Sequence, residues 1–182
     1  MNLFGIACAT LVAVVFGFAV VGKLRDRGSW TDFVATTAAM VPTRRTLSRP
    51  AAVLVVGAES ATVLLAVAAV LLRDPTVELF AFALAGVLLI GFATGIAGVL
   101  RRGLSVRCNC FGGGGAVFGP THLVRNGSLL LIVAAGLVAN LAGGPAPLDT
   151  AALVAITAGA VAGLLAAHWD ELTFLVRGTQ KA

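Results

Sequence analysis

Apolar residues in this chain come in long blocks and do not alternate with polar ones. Residues 3–21, 51–72, 77–100, 123–142 and 148–167 are each about 20 residues long and nearly free of charge. A helix rising ~1.5 Å per residue needs roughly 20 residues to cross a ~30 Å hydrocarbon core. Inside lipid every backbone polar group must find its partner within the segment, which leaves helices as the economical solution. The pattern therefore predicts an all-α, polytopic helical bundle with about five transmembrane helices, forming a single membrane domain over 1–182. A four-span form, with one segment dipping in and returning, is the alternative the same blocks allow. The first block lacks a basic stretch before it and no long hydrophilic domain follows it, so it reads as a permanent span and not a cleaved signal.

Composition supports this reading. Of 182 residues 59% are hydrophobic and only 12% charged, too few to clothe a soluble domain. Mean hydropathy is +1.01. A net charge of +5 is compatible with nucleic-acid binding, but no nucleic-acid motif accompanies it. In a membrane protein such charge belongs to loops held against an anionic leaflet, with the lipid bilayer itself as the partner.

The basic residues are placed unevenly. The segment 22–50 holds Lys23, Arg25, Arg27, Arg44, Arg45 and Arg49, the loop after the third span holds Arg101, Arg102 and Arg107, and the tail holds Arg177 and Lys181. With five spans these three segments share a side. The positive-inside rule then predicts a plasma-membrane protein with its N-terminus outside and its C-terminus cytoplasmic. Within 22–50, Ser29 and Asp32 resemble a capping box. Trp30, Phe33, Val34, Thr37 and Val41 follow at helical spacing before Pro42, which predicts a short amphipathic interfacial helix or an ordinary helical connector. Trp169 reads as a second interfacial anchor on that side.

The candidate chemistry lies in the 101–120 loop, where Arg107-Cys108-Asn109-Cys110-Phe111-Gly112 precedes Gly113, Gly114 and Gly115. Two cysteines one residue apart form a small, strained disulfide, and strained disulfides are labile. Only the thiolate exchanges, and both Arg107 and the helix N-terminus predicted at Gly119-Pro120-Thr121 favour it. Three readings stay open at this point: thiol–disulfide exchange, an unreactive structural pair, or a metal site with His122. The last is one ligand short of tetrahedral zinc. Cys8 reads as a small buried apolar residue, with a third redox thiol as the alternative. The glycine run is not a phosphate loop, because no Gly-Lys-Ser/Thr follows.

A second constellation is polar and intramembrane. Glu59 lies deep in the second span and demands a partner or a proton. His122, Arg125 and Asn126 fall on one face at the start of the fourth span. With Lys23, Cys108 and Cys110 they all belong to the inner half of the bundle. Alternatives stand beside a catalytic role: a packing ion pair for Glu59 with Arg125, an interfacial position for His122, and interhelical hydrogen bonding for Asn140.

Lys23-Leu24-Arg25-Asp26, Glu59, Cys108-x-Cys110-Phe111-Gly112 and Arg125-Asn126 together resemble the methylamine-utilisation MauE family, within the wider group of small DoxX-like membrane proteins. The resemblance covers roughly residues 3–142. It implies a helper role in maturation of methylamine dehydrogenase, whose small subunit is disulfide-rich, beside a thioredoxin-like partner. By this resemblance Cys108 and Cys110 are the redox pair, and Lys23, Glu59, Arg125 and Asn126 are family positions. The leading expectation is a thiol–disulfide oxidoreductase in which Glu59 and Arg125 support the pair, with Lys23, Arg107, His122 and Asn126 as further polar positions. A non-catalytic scaffold for a thioredoxin-like protein and a small-solute carrier are the competing classes. No haem, flavin or nucleotide signature is present and no cofactor is evident; a quinone between the helices is an option that no motif supports. A helper of exported proteins is expected to present its cysteines outward, whereas the charge rule places this loop inside. A re-entrant loop, electron transfer across the membrane, or a span count off by one would reconcile the two.

Overall fold

In a computed structural model the described residues are 2–40, 47–104, 106, 119–143 and 150–169. They form six helices and no strand: α1 (Leu3–Leu24), α2 (Arg27–Met40), α3 (Ser48–Leu72), α4 (Pro75–Arg101), α5 (Pro120–Ala142) and α6 (Thr150–Ala167). All but α2 are long and apolar enough to cross a membrane. Helices α1, α3, α4 and α5 extend beyond their apolar blocks by a few residues, because polar and charged first or last turns belong to the helices too, whereas α6 lies within its block.

The start signals are readable in side chains. Asn2 caps α1 by accepting from the Gly5 N–H at 2.7 Å. Asp74 caps α4 by accepting from Thr76 and Val77, and Pro75 occupies the first helical position. Between α3 and α4 the chain reverses within two residues, which forces Arg73 into the left-handed region at φ 54°. Asp26 caps α2, accepting from the Ser29 N–H at 2.8 Å and the Ser29 hydroxyl at 3.0 Å. This corrects the expected cap at Ser29. Asp26 lies three residues ahead of that N–H, the spacing a cap requires, whereas Ser29 is already inside the first turn and buried.

Helices α1, α3, α4 and α5 form the central bundle, α6 packs along α1, and α2 crosses one end against α3, α1 and α4. The core joins Ile6, Val12 and Phe16 of α1 to Ala66 of α3, Phe82 and Leu89 of α4, and Leu129 of α5. Large apolar side chains such as Leu54, Leu71 and Leu131 are more than 70% exposed, the arrangement of a protein solvated by lipid. Helix association then rests on close packing, and small residues provide it. Gly159 of α6 sits directly on the Ala7 carbonyl of α1, and a Cβ at Gly163 would lie 2.9 Å from that of Val14.

One end of the bundle, formed by the end of α1, the starts of α3 and α5 and the end of α4, carries Lys23, Arg25, Arg27, Arg49, Arg101 and Arg102; it is called the basic end below. At the far end Arg73 is the one Lys or Arg among the described residues.

Candidate functional site

The basic end holds a buried ionic site. Lys23, one residue before α1 ends, is 0% exposed, and Glu59 in the fourth turn of α3 is 1% exposed. The ammonium donates to Oε1 at 2.7 Å and Oε2 at 2.9 Å. It also approaches the Ala19 carbonyl at 3.4 Å. The rings of Phe33 on α2 and Phe92 on α4 stand 5.0 and 5.6 Å from Nζ, within cation–π range. Four helices thus converge on one ammonium. The partner of Glu59 is therefore Lys23, which replaces the expected pairing with Arg125. Lysines at span ends ordinarily extend outward to the interface. Here the carboxylate draws the side chain inward.

Helix α5 adds His122, Arg125 and Asn126, all buried. The Gly119 N–H donates to His122 Nδ1 at 3.2 Å, which folds the imidazole back over the helix start. Arg125 and Asn126 line a cavity of about 20 Å³ together with Lys23 and Glu59, and Phe16 and Leu129 close its apolar side. That volume holds about one or two water molecules.

Helix α2 closes the site from the basic side. Phe33 packs with Ala52 and Val56 of α3. Arg102, at the end of α4, donates from Nη2 to the Ala39 carbonyl near the end of α2 at 2.7 Å and from Nε to the Gly98 carbonyl at 2.8 Å. The Asp26 carboxyl at the start of α2 is held below its usual range, chiefly by the Ser29 backbone N–H, then by the Ser29 hydroxyl and Arg25. Asp74, at the far end, is likewise lowered by the N–H groups of Thr76 and Val77.

The structure brings together Lys23, Glu59, His122, Arg125 and Asn126 at one end. Arg107, Cys108 and Cys110 lie outside the described residues. Val106, just before them, packs against the cluster of Ile96 and Val99 at the same end, as Leu123 does, and Ile96 also lines the cavity. Cys8 is buried near the far end, among core residues. Asn140 bridges α5 to α4 there, donating to the Pro75 carbonyl at 3.0 Å and to Glu78. The aromatic neighbours Phe33 and Phe92 and the buried Glu78 were missed by sequence reasoning. For Glu78 a signal existed, a carboxylate just inside an apolar block, but it reads equally well as an ordinary acidic first turn.

A family model described as Methylamine utilisation protein MauE matches residues 1–139. The chain belongs to the MauE family. The match runs from α1 into α5 and so includes every residue of the buried ionic site. Helix α6 lies beyond it. Family membership and the five apolar helices make this a multi-pass membrane protein associated with methylamine utilisation. No curated protein and no solved structure matches the chain.

Proposed function

We propose that this MauE-family chain is a thiol–disulfide helper of the plasma membrane. In this reading Cys108 and Cys110 exchange with a thioredoxin-like partner that serves an exported protein such as methylamine dehydrogenase. The observation that supports it best is the buried site at the basic end. Lys23, Glu59, Arg125 and Asn126 converge there, and α5, which carries two of them, directly follows the Cys-x-Cys segment in sequence. Cys108 follows Val106 by two residues, and two residues span at most ~7 Å. In the reaction a thiolate of the reduced partner attacks the Cys108–Cys110 disulfide, and the departing sulfur takes a proton. The second partner thiolate then closes the partner's own disulfide, releasing the pair as a dithiol. The reverse sequence oxidises the pair at the partner's expense. Arg107 and Arg125 favour the thiolate forms by charge, and Glu59 and Lys23 keep the neighbouring pocket polar. Placing the basic end in the cytoplasm follows the charge asymmetry.

The decisive experiment replaces Cys108 and Cys110 by Ser, singly, and follows the partner's redox state in cells by alkylation and gel shift. Each variant should accumulate normally and leave the partner's redox state unbalanced. Normal partner oxidation in both variants excludes the thiol chemistry.

A second reading, a non-catalytic scaffold, is favoured by α2, a docked helix that starts among exposed Arg25, Asp26 and Arg27. In that case neutral replacements of Arg25 and Arg27 release the thioredoxin-like partner while both cysteines are dispensable. Unchanged co-purification counts against it.

A further inference from the structure

The far end of the bundle holds a second buried carboxyl, and its surroundings are the opposite of those of Glu59. Glu78 lies in the first turn of α4 and is 0% exposed. It follows the half-buried cap Asp74 by one helical turn, about 6 Å along the axis. Asn140 of α5 donates its amide to Oε2. Oε1 has no hydrogen-bond partner among the described residues. Gly5 of α1 lies against that oxygen so closely that a Cβ there would collide with it. Asn2 joins the elements around the carboxyl, because its Oδ1 accepts from the Gly5 N–H at 2.7 Å and its Nδ2 donates to the Ala139 carbonyl of α5 at 2.7 Å.

The charges facing Glu78 are few. From α1 comes the Cys8 thiol, and the positive charge of the amino terminus is also electrostatically coupled to the carboxyl. From α5 comes only the neutral Asn140 amide. Arg73 and Asp74 are the charged residues of the turn into α4. Among the described residues no salt bridge reaches Glu78, whereas Glu59 holds an ammonium on both oxygens. Burying an ionised carboxylate without a paired cation is costly, and burying the neutral acid much less so. A fully buried carboxyl, one oxygen held by an amide and the other without a hydrogen bond among the described residues, suits reversible protonation. No side chain among the described residues offers it a structural ion pair.

We propose that Glu78 is a proton-exchange site at the far end of the bundle, taking up and releasing one proton through the aqueous face beside Asp74. Asn140 holds the carboxyl in place, and Gly5 makes room for the oxygen that carries the proton. The site is separate from the ionic cluster at the basic end, so its existence does not depend on thiol chemistry there.

A hydrophobic carbodiimide tests this directly, since it forms stable adducts with protonated carboxyls in apolar surroundings. The native protein in lipid vesicles is treated with dicyclohexylcarbodiimide from mildly acidic to alkaline pH, and adducts are located by peptide mass spectrometry. The expected adduct is on Glu78, with a yield that falls along a single-proton curve as pH rises, and it is lost in Glu78→Gln. Glu59 should stay unlabelled in the native protein and become labelled in Lys23→Met, which shows that the reagent enters the bundle. Absence of a Glu78 adduct across the whole range overturns the proposal. So does an adduct insensitive to pH but suppressed by sodium, which would make the site one for a metal cation.

Discussion

Lys23 shows what a single side chain can do when lipid surrounds it. It has the flexible stem that would let it reach the interface, and it lies one residue from a helix end, yet none of it is exposed. Removing one member of a buried ion pair leaves the other charge stranded, which costs about 3–5 kcal/mol, while replacing both with apolar residues is often neutral. Lys23→Met and Glu59→Leu should therefore each lower the thermal unfolding temperature in detergent markedly, and the double variant should recover most of the loss. The sequence announced that Glu59 needed a partner, but it did not select Lys23 over Arg125. That choice depends on which helices become neighbours, and α1 packs on α3. Asp26 carries a pH prediction at the same scale. Its folded-state value lies below the ordinary one, about 3.9, so its stabilisation of the α2 start is complete above that value. It is lost as pH falls through the lower folded value. Hydrogen exchange at the Ser29 amide should quicken over that acidic window in the native protein and show no such step in Asp26→Asn.

Among the elements, the spans were legible because length and apolarity alone define them. The faces they bury were not. A helix in a soluble protein betrays its inner face by its polar outer one, but here both faces are apolar, so periodicity carries little information. Helix α6 is the extreme case: its inward face is marked only by Ala152, Gly159, Gly163 and Ala167. Because a Cβ at Gly159 meets the backbone of Ala7 and not a movable side chain, Gly159→Val should push α6 off α1. A disulfide engineered between the two helices would then form much more slowly in the Gly159→Val background than in the native one. Helix α2 was visible from its spacing, yet its start was misplaced by a few residues. Asp26 and Ser29 are both good caps, and only the backbone path decides between them.

At the scale of the whole molecule, charge placement in the sequence already separated the two ends. The described Lys and Arg residues outside the bundle interior cluster at one of them, with Arg73 alone at the other. Reporters inserted in the segment 41–46, between α2 and α3, and in the turn between α3 and α4 should fall on opposite sides of the membrane. Equal accessibility of both to an impermeant reagent would contradict five crossings. The gathering of Lys23, Glu59, His122, Arg125 and Asn126 at one end was also legible, because helix polarity and span order fix which end each residue occupies. The aromatic rings around the ammonium were not, since α2 lies outside the spans and its docking depends on tertiary packing.

The seating of α2 has an electrical consequence. Phe33 of α2 stands over the Lys23 ammonium and packs on α3 at the basic end. Coulomb attraction at a fixed distance falls roughly fourfold when the effective dielectric constant rises from about 20 to that of water. A binding event that lifted this peripheral helix would flood the pair and loosen it without touching either charge. The strength of a bond inside the bilayer is in this way governed by an insulating ring held on its surface.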